Sequence, residues 1–190
     1  MRVISGTAKG VILKAVPGMK TRPTSDKVKE ALFHRIGPYF RGGAGLDLYA
    51  GTGSLGIEAL SRGFDSFVFV DKSPQAVKII RQNVKAASFE QSSRIYRNDT
   101  SRALSALEKR NEVFDLICMD PPYDYQQLAE MLTTIYEKGL LRLSGYAICE
   151  HRSSVELPDY VSGLSKQQAH TYGDTAVSIY GFDHEGGNIK

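Results

Sequence analysis

The chain has 190 residues, 42% hydrophobic and 24% charged, a globular balance that argues against a disordered or fibrous protein. Lys and Arg number 24 against 21 Asp and Glu, and the resulting +3 points to no particular partner. No apolar run approaches the ~20 residues that span a bilayer, and the N-terminus MRVISGTAKGV lacks the apolar stretch of a signal peptide. The expectation is a cytoplasmic protein with one main core, its cysteines Cys118 and Cys149 lying as buried thiols inside apolar runs.

The small net charge hides an uneven distribution. Residues 1–41 carry nine basic and two acidic side chains, a net +7, whereas the rest of the chain sums to −4. A basic segment on a slightly acidic body suggests a surface for an anionic partner, with a merely solvated basic face as the alternative.

In chain order, RVIS and VILKAV are short β-prone runs joined by the glycine-bounded GTAKG, which predicts a hairpin. A loop, PGMKTRPT, leads to a helix over roughly Ser25–Phe40, with apolar Val28, Ala31, Leu32 and Ile36 on one face. Thr24 or Ser25 can cap it, and Gly37-Pro38 weakens or ends it. Domain limits are expected at 1–41 for a basic extension, 42–183 for the main domain and 184–190 for a polar, frayed tail.

From Gly45 onward strands and helices alternate. Strands are predicted at Leu46–Tyr49, Ser66–Val70, Arg94–Arg97, Phe114–Met119 and Tyr146–Cys149, with two more near Gln167–Tyr172 and Ala176–Phe182. Helices are predicted at Ser54–Arg62, from Ser73-Pro74 onward, at Ser101–Arg110 and at Gln126–Lys138. Ser73 suits an N-cap and Pro74 the first helical position. Gly173-Asp174 predicts a closing hairpin. The pattern defines an α/β, Rossmann-like, doubly wound and mostly parallel seven-stranded sheet with an antiparallel last strand, preceded by the N-terminal β-hairpin and helix.

The first strand of the body runs into Asp47-Leu48-Tyr49-Ala50-Gly51-Thr52-Gly53-Ser54-Leu55-Gly56, a G-x-G-x-x-G that opens a helix. Glycines there permit the tight turn and close approach of a nucleoside ligand. Asp71 ends the second strand 20 residues after Gly51, where a carboxylate can accept hydrogen bonds from both hydroxyls of a ribose. An NAD site and an S-adenosylmethionine site share this layout. The loop does not decide between them. Asp47 is a first discriminator, since an acidic residue four before the first glycine resembles the D-x-x-x-G-x-G pattern of S-adenosylmethionine-dependent methyltransferases. An NAD site, with pyrophosphate on the helix N-terminus, has no comparable need for it.

Asp120-Pro121-Pro122-Tyr123 follows the apolar strand FDLICM. Two prolines stiffen the backbone and remove two N–H donors. An exocyclic amino group on a base is a weak nucleophile, its lone pair delocalised into the ring. A carboxylate (Asp120) and a backbone carbonyl (Pro121) accepting its two N–H bonds would localise that lone pair, and Tyr123 could stack on the base. Such a base must leave its stack or be presented by an unpaired loop.

These residues resemble the amino-methyltransferases of the class I Rossmann-like superfamily, and the chain as a whole resembles the bacterial 16S rRNA guanine-N2 methyltransferases of RsmD type. That family begins with R-x-I-x-G-x-x-K-G, matched by Arg2 to Gly10, and continues with R-P-T, matched by Arg22-Pro23-Thr24. Many members have Phe where Tyr123 stands; the aromatic face is kept. The resemblance implies S-adenosyl-L-methionine as cofactor, held by Asp47, Tyr49, Ala50, Gly51, Thr52, Gly53, Asp71, Lys72, Asp99, Thr100 and Asp120. It implies catalysis by Asp120, Pro121, Pro122 and Tyr123, on 16S rRNA or the assembling small ribosomal subunit, by a monomer. Arg2, Lys9, Arg22 and Lys27 are candidates for phosphate contacts.

The four histidines have no cysteine or carboxylate at ligand spacing, so no metal is expected. A DNA adenine methyltransferase would share Asp120–Tyr123, but the body has no insertion large enough for target recognition. A protein glutamine methyltransferase typically has Asn at position 120. An NAD-dependent oxidoreductase and a non-catalytic, S-adenosylmethionine-binding RNA-docking protein complete the alternatives.

Overall fold

A computed structural model describes residues 1–17, 26–121 and 125–182. The chain divides into two compact units, Met1–Ala103 and Leu104–Lys190.

In the first unit, residues 1–17 precede helix α1 (Asp26–Ile36), and three strands, β1 (Ala44–Asp47), β2 (Ser66–Asp71) and β3 (Ser93–Arg97), alternate with α2 (Ser54–Ser61) and α3 (Pro74–Ala86). The strands lie in the order β3-β2-β1 and pair in parallel. All but the first residue of β2 is buried, as a parallel strand covered on both faces must be. Helix α1 stops at Ile36, before Gly37-Pro38. Its expected caps, Thr24 and Ser25, lie outside the described residues.

The N-terminal hairpin is shorter than expected. Its ladder is one isolated bridge, Arg2 with Ile12, supported by Val3 N–H to Val11 O at 3.0 Å and Leu13 N–H to Met1 O at 3.1 Å. The N–H groups of Ile4 and Ser5 donate instead to the carboxylate of Glu58 on α2, at 2.8 and 3.0 Å. Those of Thr7 and Ala8 donate to Ser61, so these residues have a helix for a partner, not a second strand. Gly6 makes this docking possible: its φ is +85°, and a Cβ there would stand 1.7 Å from Ser61 O.

In the second unit, β4 (Phe114–Met119), α5 (Tyr125–Glu137) and β5 (Leu141–Arg152) precede β6 (Tyr160–Val161), β7 (Leu164–Tyr172) and β8 (Thr175–Phe182). Helix α4 (Thr100–Glu108) leads into it. The strand order is β4-β5-β8-β7-β6, with β5 parallel to β4 and β8 antiparallel to β5. Among the described residues there are eight strands in place of seven. The additional one, β6, is two residues long and followed by Ser162 at φ 57°, too short to leave a period-2 pattern. Strand β5 begins five residues before the apolar run that marked it, and its register against β4 shifts between Phe114 and Leu116.

Candidate active site

The glycine loop is built between β1 and α2. Gly51 and Gly53 have φ of +54° and +77°, a backbone region that residues with a Cβ enter at a cost. Ala50 N–H donates to Val70 O at 3.0 Å and Gly53 N–H to Ala50 O at 2.6 Å, so the loop is tied to the end of β2 and folded on itself. The Asp71 carboxylate takes Gly51 N–H on Oδ2 at 2.9 Å and Ser73 N–H on Oδ1 at 2.8 Å. Asp47 is buried at 3% exposure at the end of β1. Lys72 is exposed, Tyr49 and Thr52 half-buried.

These residues suit an adenosine-bearing cofactor. Each Asp71 oxygen has one described backbone donor and retains lone-pair capacity for a ribose hydroxyl. Beside Gly51, the nearest atom to an added Cβ is Tyr49 O at 3.8 Å, so the backbone there is open to close approach.

At the end of β3, Asn98 Oδ1 accepts Asp99 N–H at 3.0 Å. Asp99 Oδ1 accepts Arg102 N–H at 3.0 Å, and its Oδ2 lies 3.3 Å from Arg102 Nε. Asp99 is therefore a cap at the start of α4, where Thr100 is the first helical residue. In the second unit, β4 is buried from Leu116 to Met119 and delivers Asp120 to an exposed position, followed by half-buried Pro121. Pro122 and Tyr123 lie outside the described residues.

Of the candidate phosphate contacts, Lys9 and Lys27 are exposed. Arg2 Nε lies 3.9 Å from Asp26 with its side chain 68% exposed, and Arg22 lies outside the described residues.

Three buried residues beside the glycine loop escaped sequence reasoning. Glu58, fully buried, accepts from Ile4 and Ser5 and from Arg62 Nε at 2.7 Å, with Lys29 Nζ at 3.4 Å. Lys29 is also fully buried, and desolvation pushes its pKa down against the opposing pull of Glu58. Asn83 on α3 accepts Lys14 N–H and donates to the carbonyls of Lys14 and Thr52. Each is a polar residue standing in an apolar stripe, and that misfit is the signal that would have found it. Elsewhere, His151 Nδ1 lies 3.0 Å from Arg152 O and Nε2 2.9 Å from Ser178 Oγ, beside a pocket of about 360 Å³ in the second unit. Burial lowers its pKa, which favours the neutral ring.

Among the described residues there is no group of three or more potential metal ligands, and no helix long and apolar enough to cross a membrane. The sheet and its covering helices make a Rossmann-like α/β fold. A solved Escherichia coli structure described as "Putative methyltransferase yhhF" shares it, with a TM-score of 0.80 over 95% of this chain and 96% of that one, at 24% identity.

The chain matches the family described as conserved hypothetical protein 95 over residues 1–181, and it belongs to that family. It is 51% identical to the Bacillus subtilis "Putative rRNA methyltransferase YlbH" over 95% of this chain and 98% of that one. It is 31% identical to the ribosomal RNA small subunit methyltransferase D of Haemophilus influenzae, over 75% of this chain and 74% of the relative.

Proposed function

We propose that this protein transfers a methyl group from S-adenosylmethionine to the exocyclic N2 amino group of a guanine in 16S ribosomal RNA. The observation that carries the cofactor half is the Asp71 carboxylate, bonded to Gly51 N–H across a strand–turn–helix. The rRNA substrate follows from the relatives, and the guanine N2 from the resemblance of Arg2–Gly10, Arg22–Thr24 and Asp120–Tyr123 to the RsmD-type pattern.

Asp47 and the loop Tyr49–Gly53 would hold the amino-acid end of the cofactor. Asp71, with Lys72 beside it, would hold the ribose, and Asp99 with Thr100 the adenine edge. Bound there, the cofactor supplies a methyl group activated by a sulfonium. Asp120 and the Pro121 carbonyl accept the two N–H bonds of the guanine amino group. They localise its lone pair and aim it, and the carboxylate remains beside the nitrogen that must lose a proton after transfer. Pro122, by its chemistry, would stiffen the backbone, and the Tyr123 ring would be available for stacking. Arg2, Lys9, Arg22 and Lys27 hold phosphates without reading sequence.

The test is transfer of labelled methyl from S-adenosylmethionine into small-subunit rRNA, with the modified position mapped in cells with and without the protein. Asp120→Ala should lower transfer by roughly 100-fold or more, while calorimetric cofactor affinity changes far less. Normal methylation of the same guanine without the protein would sink the assignment. Binding of NAD in preference to S-adenosylmethionine would return the oxidoreductase alternative.

A further inference from the structure

Buried polar side chains join the basic N-terminal segment to the glycine loop on both sides of Gly53. On one side stands Asn83, 1% exposed. Its Nδ2 donates to Thr52 O at 2.8 Å and to Lys14 O at 3.0 Å, while its Oδ1 accepts Lys14 N–H at 2.8 Å. On the other side, Lys29 Nζ donates to Arg2 O at 2.7 Å and lies 3.5 Å from Ser54 Oγ, the first residue of α2. Glu58, one turn further along α2, accepts Ile4 and Ser5 N–H. Thr52 Oγ1 also donates to Met1 Sδ at 3.7 Å.

A fully buried ammonium is costly, and Glu58 already has Arg62 and two backbone donors to satisfy it. Lys29 Nζ, 3.4 Å from Glu58, is thus one of several partners of that carboxylate, and its other contacts are with the N-terminal backbone and the start of α2. Residues 1–14 bond to Asn83, Lys29 and Glu58, and Asn83 and Lys29 in turn reach Thr52 and Ser54 on either side of Gly53.

We propose that Lys29 and Asn83 are positioning residues that couple RNA engagement by the N-terminal segment to cofactor binding in the glycine loop. The identity of the RNA rests on the proposed function; the tie between segment and loop rests on the hydrogen bonds alone. RNA that steadies residues 1–14 steadies Thr52 and Ser54, and so raises cofactor affinity. By linkage, cofactor raises RNA affinity by the same factor, about 5-fold or more.

Lys29→Met keeps the stem and leaves Glu58 its other donors, while Asn83→Ala severs the second tie. The experiment measures S-adenosylmethionine affinity by calorimetry with and without a 16S rRNA transcript. It also follows amide exchange of residues 50–54 without ligand, in the full chain, with cooperative melting as the check on folding. Wild type should bind cofactor about 5-fold or more tightly with RNA present, and RNA should slow exchange in the loop. Both variants should show faster loop exchange, weaker cofactor binding and a coupling factor near one. An unchanged cofactor affinity or unprotected loop when RNA binds wild type overturns the proposal, even if neither variant folds. So does wild-type exchange and coupling in folded variants. If wild type binds neither the 16S rRNA transcript nor small-subunit particles, the substrate assignment fails, while exchange and cofactor affinity in the variants still decide the tie.

Discussion

Asp71 serves the fold and, in the proposed function, a ligand as well. Its two oxygens hold Gly51 and Ser73 by their N–H groups, fixing the loop before it and the helix after it. Asp71→Ala removes the acceptor of both donors and the one proposed for the ribose. A charge-assisted bond of about 1.5–3 kcal/mol corresponds to roughly 10- to 100-fold in cofactor affinity. Calorimetry with S-adenosylmethionine checks this, and wild-type affinity in the variant would remove Asp71 from the site. His151 gives a prediction of pH dependence. Its folded pKa lies below the usual 6.5, chiefly because burial disfavours the imidazolium. The unfolded chain therefore binds more protons between that depressed value and 6.5, and stability falls as pH is lowered through this window. Urea denaturation of wild type and His151→Gln at pH 7.5 and 5.5 should show a smaller acid loss in the variant. An equal loss in both would assign the effect to other groups.

At the scale of elements, helix α3 begins as a capping argument requires. Ser73 is extended, its side chain accepts Ala76 N–H at 3.3 Å, and Pro74 occupies the first turn. Ser73→Ala should cost about 1 kcal/mol of stability by urea denaturation, and an unchanged midpoint would mean that Ser73 N–H to Asp71 alone fixes the helix start. Features of this local kind were legible in the sequence. FDLICM predicted the six residues of β4 because an apolar run between polar neighbours has one compact solution. The glycine loop and Asp71 were legible because strand, turn and helix succeed one another along the chain. The reduced N-terminal ladder was not, because the competitor for Ile4 and Ser5 N–H is a carboxylate 54 and 53 residues away. Lys29 and Glu58 each sit within an otherwise apolar face, and nothing local pairs them. Only Arg62, four residues after Glu58, was within reach of a helical spacing rule.

For the whole molecule, the structure divides the charge of the described residues within 1–41 by what their side chains face. Lys29 is wholly buried and lies within hydrogen-bonding reach of Glu58, Ser54 Oγ and the Arg2 carbonyl. Lys9, Lys27 and the guanidinium of Arg2 stand in solvent, where a phosphate can reach them and displace counterions. The net +7 of this segment therefore overstates the charge available to RNA. Two consequences separate the buried lysine from the exposed ones. Lys9→Gln and Lys27→Gln, and Arg22→Gln if that residue also holds a phosphate, should each flatten the plot of log affinity against log salt by about 0.7–0.9. Lys29→Met should leave that slope unchanged in the absence of cofactor, because no counterion leaves a group that RNA never touches. Binding of a 16S rRNA transcript measured from 50 to 200 mM salt distinguishes the two classes. A slope untouched at Lys9 and Lys27 would move the RNA surface off the N-terminal segment, whereas a slope flattened in Lys29→Met would place that ammonium against phosphate.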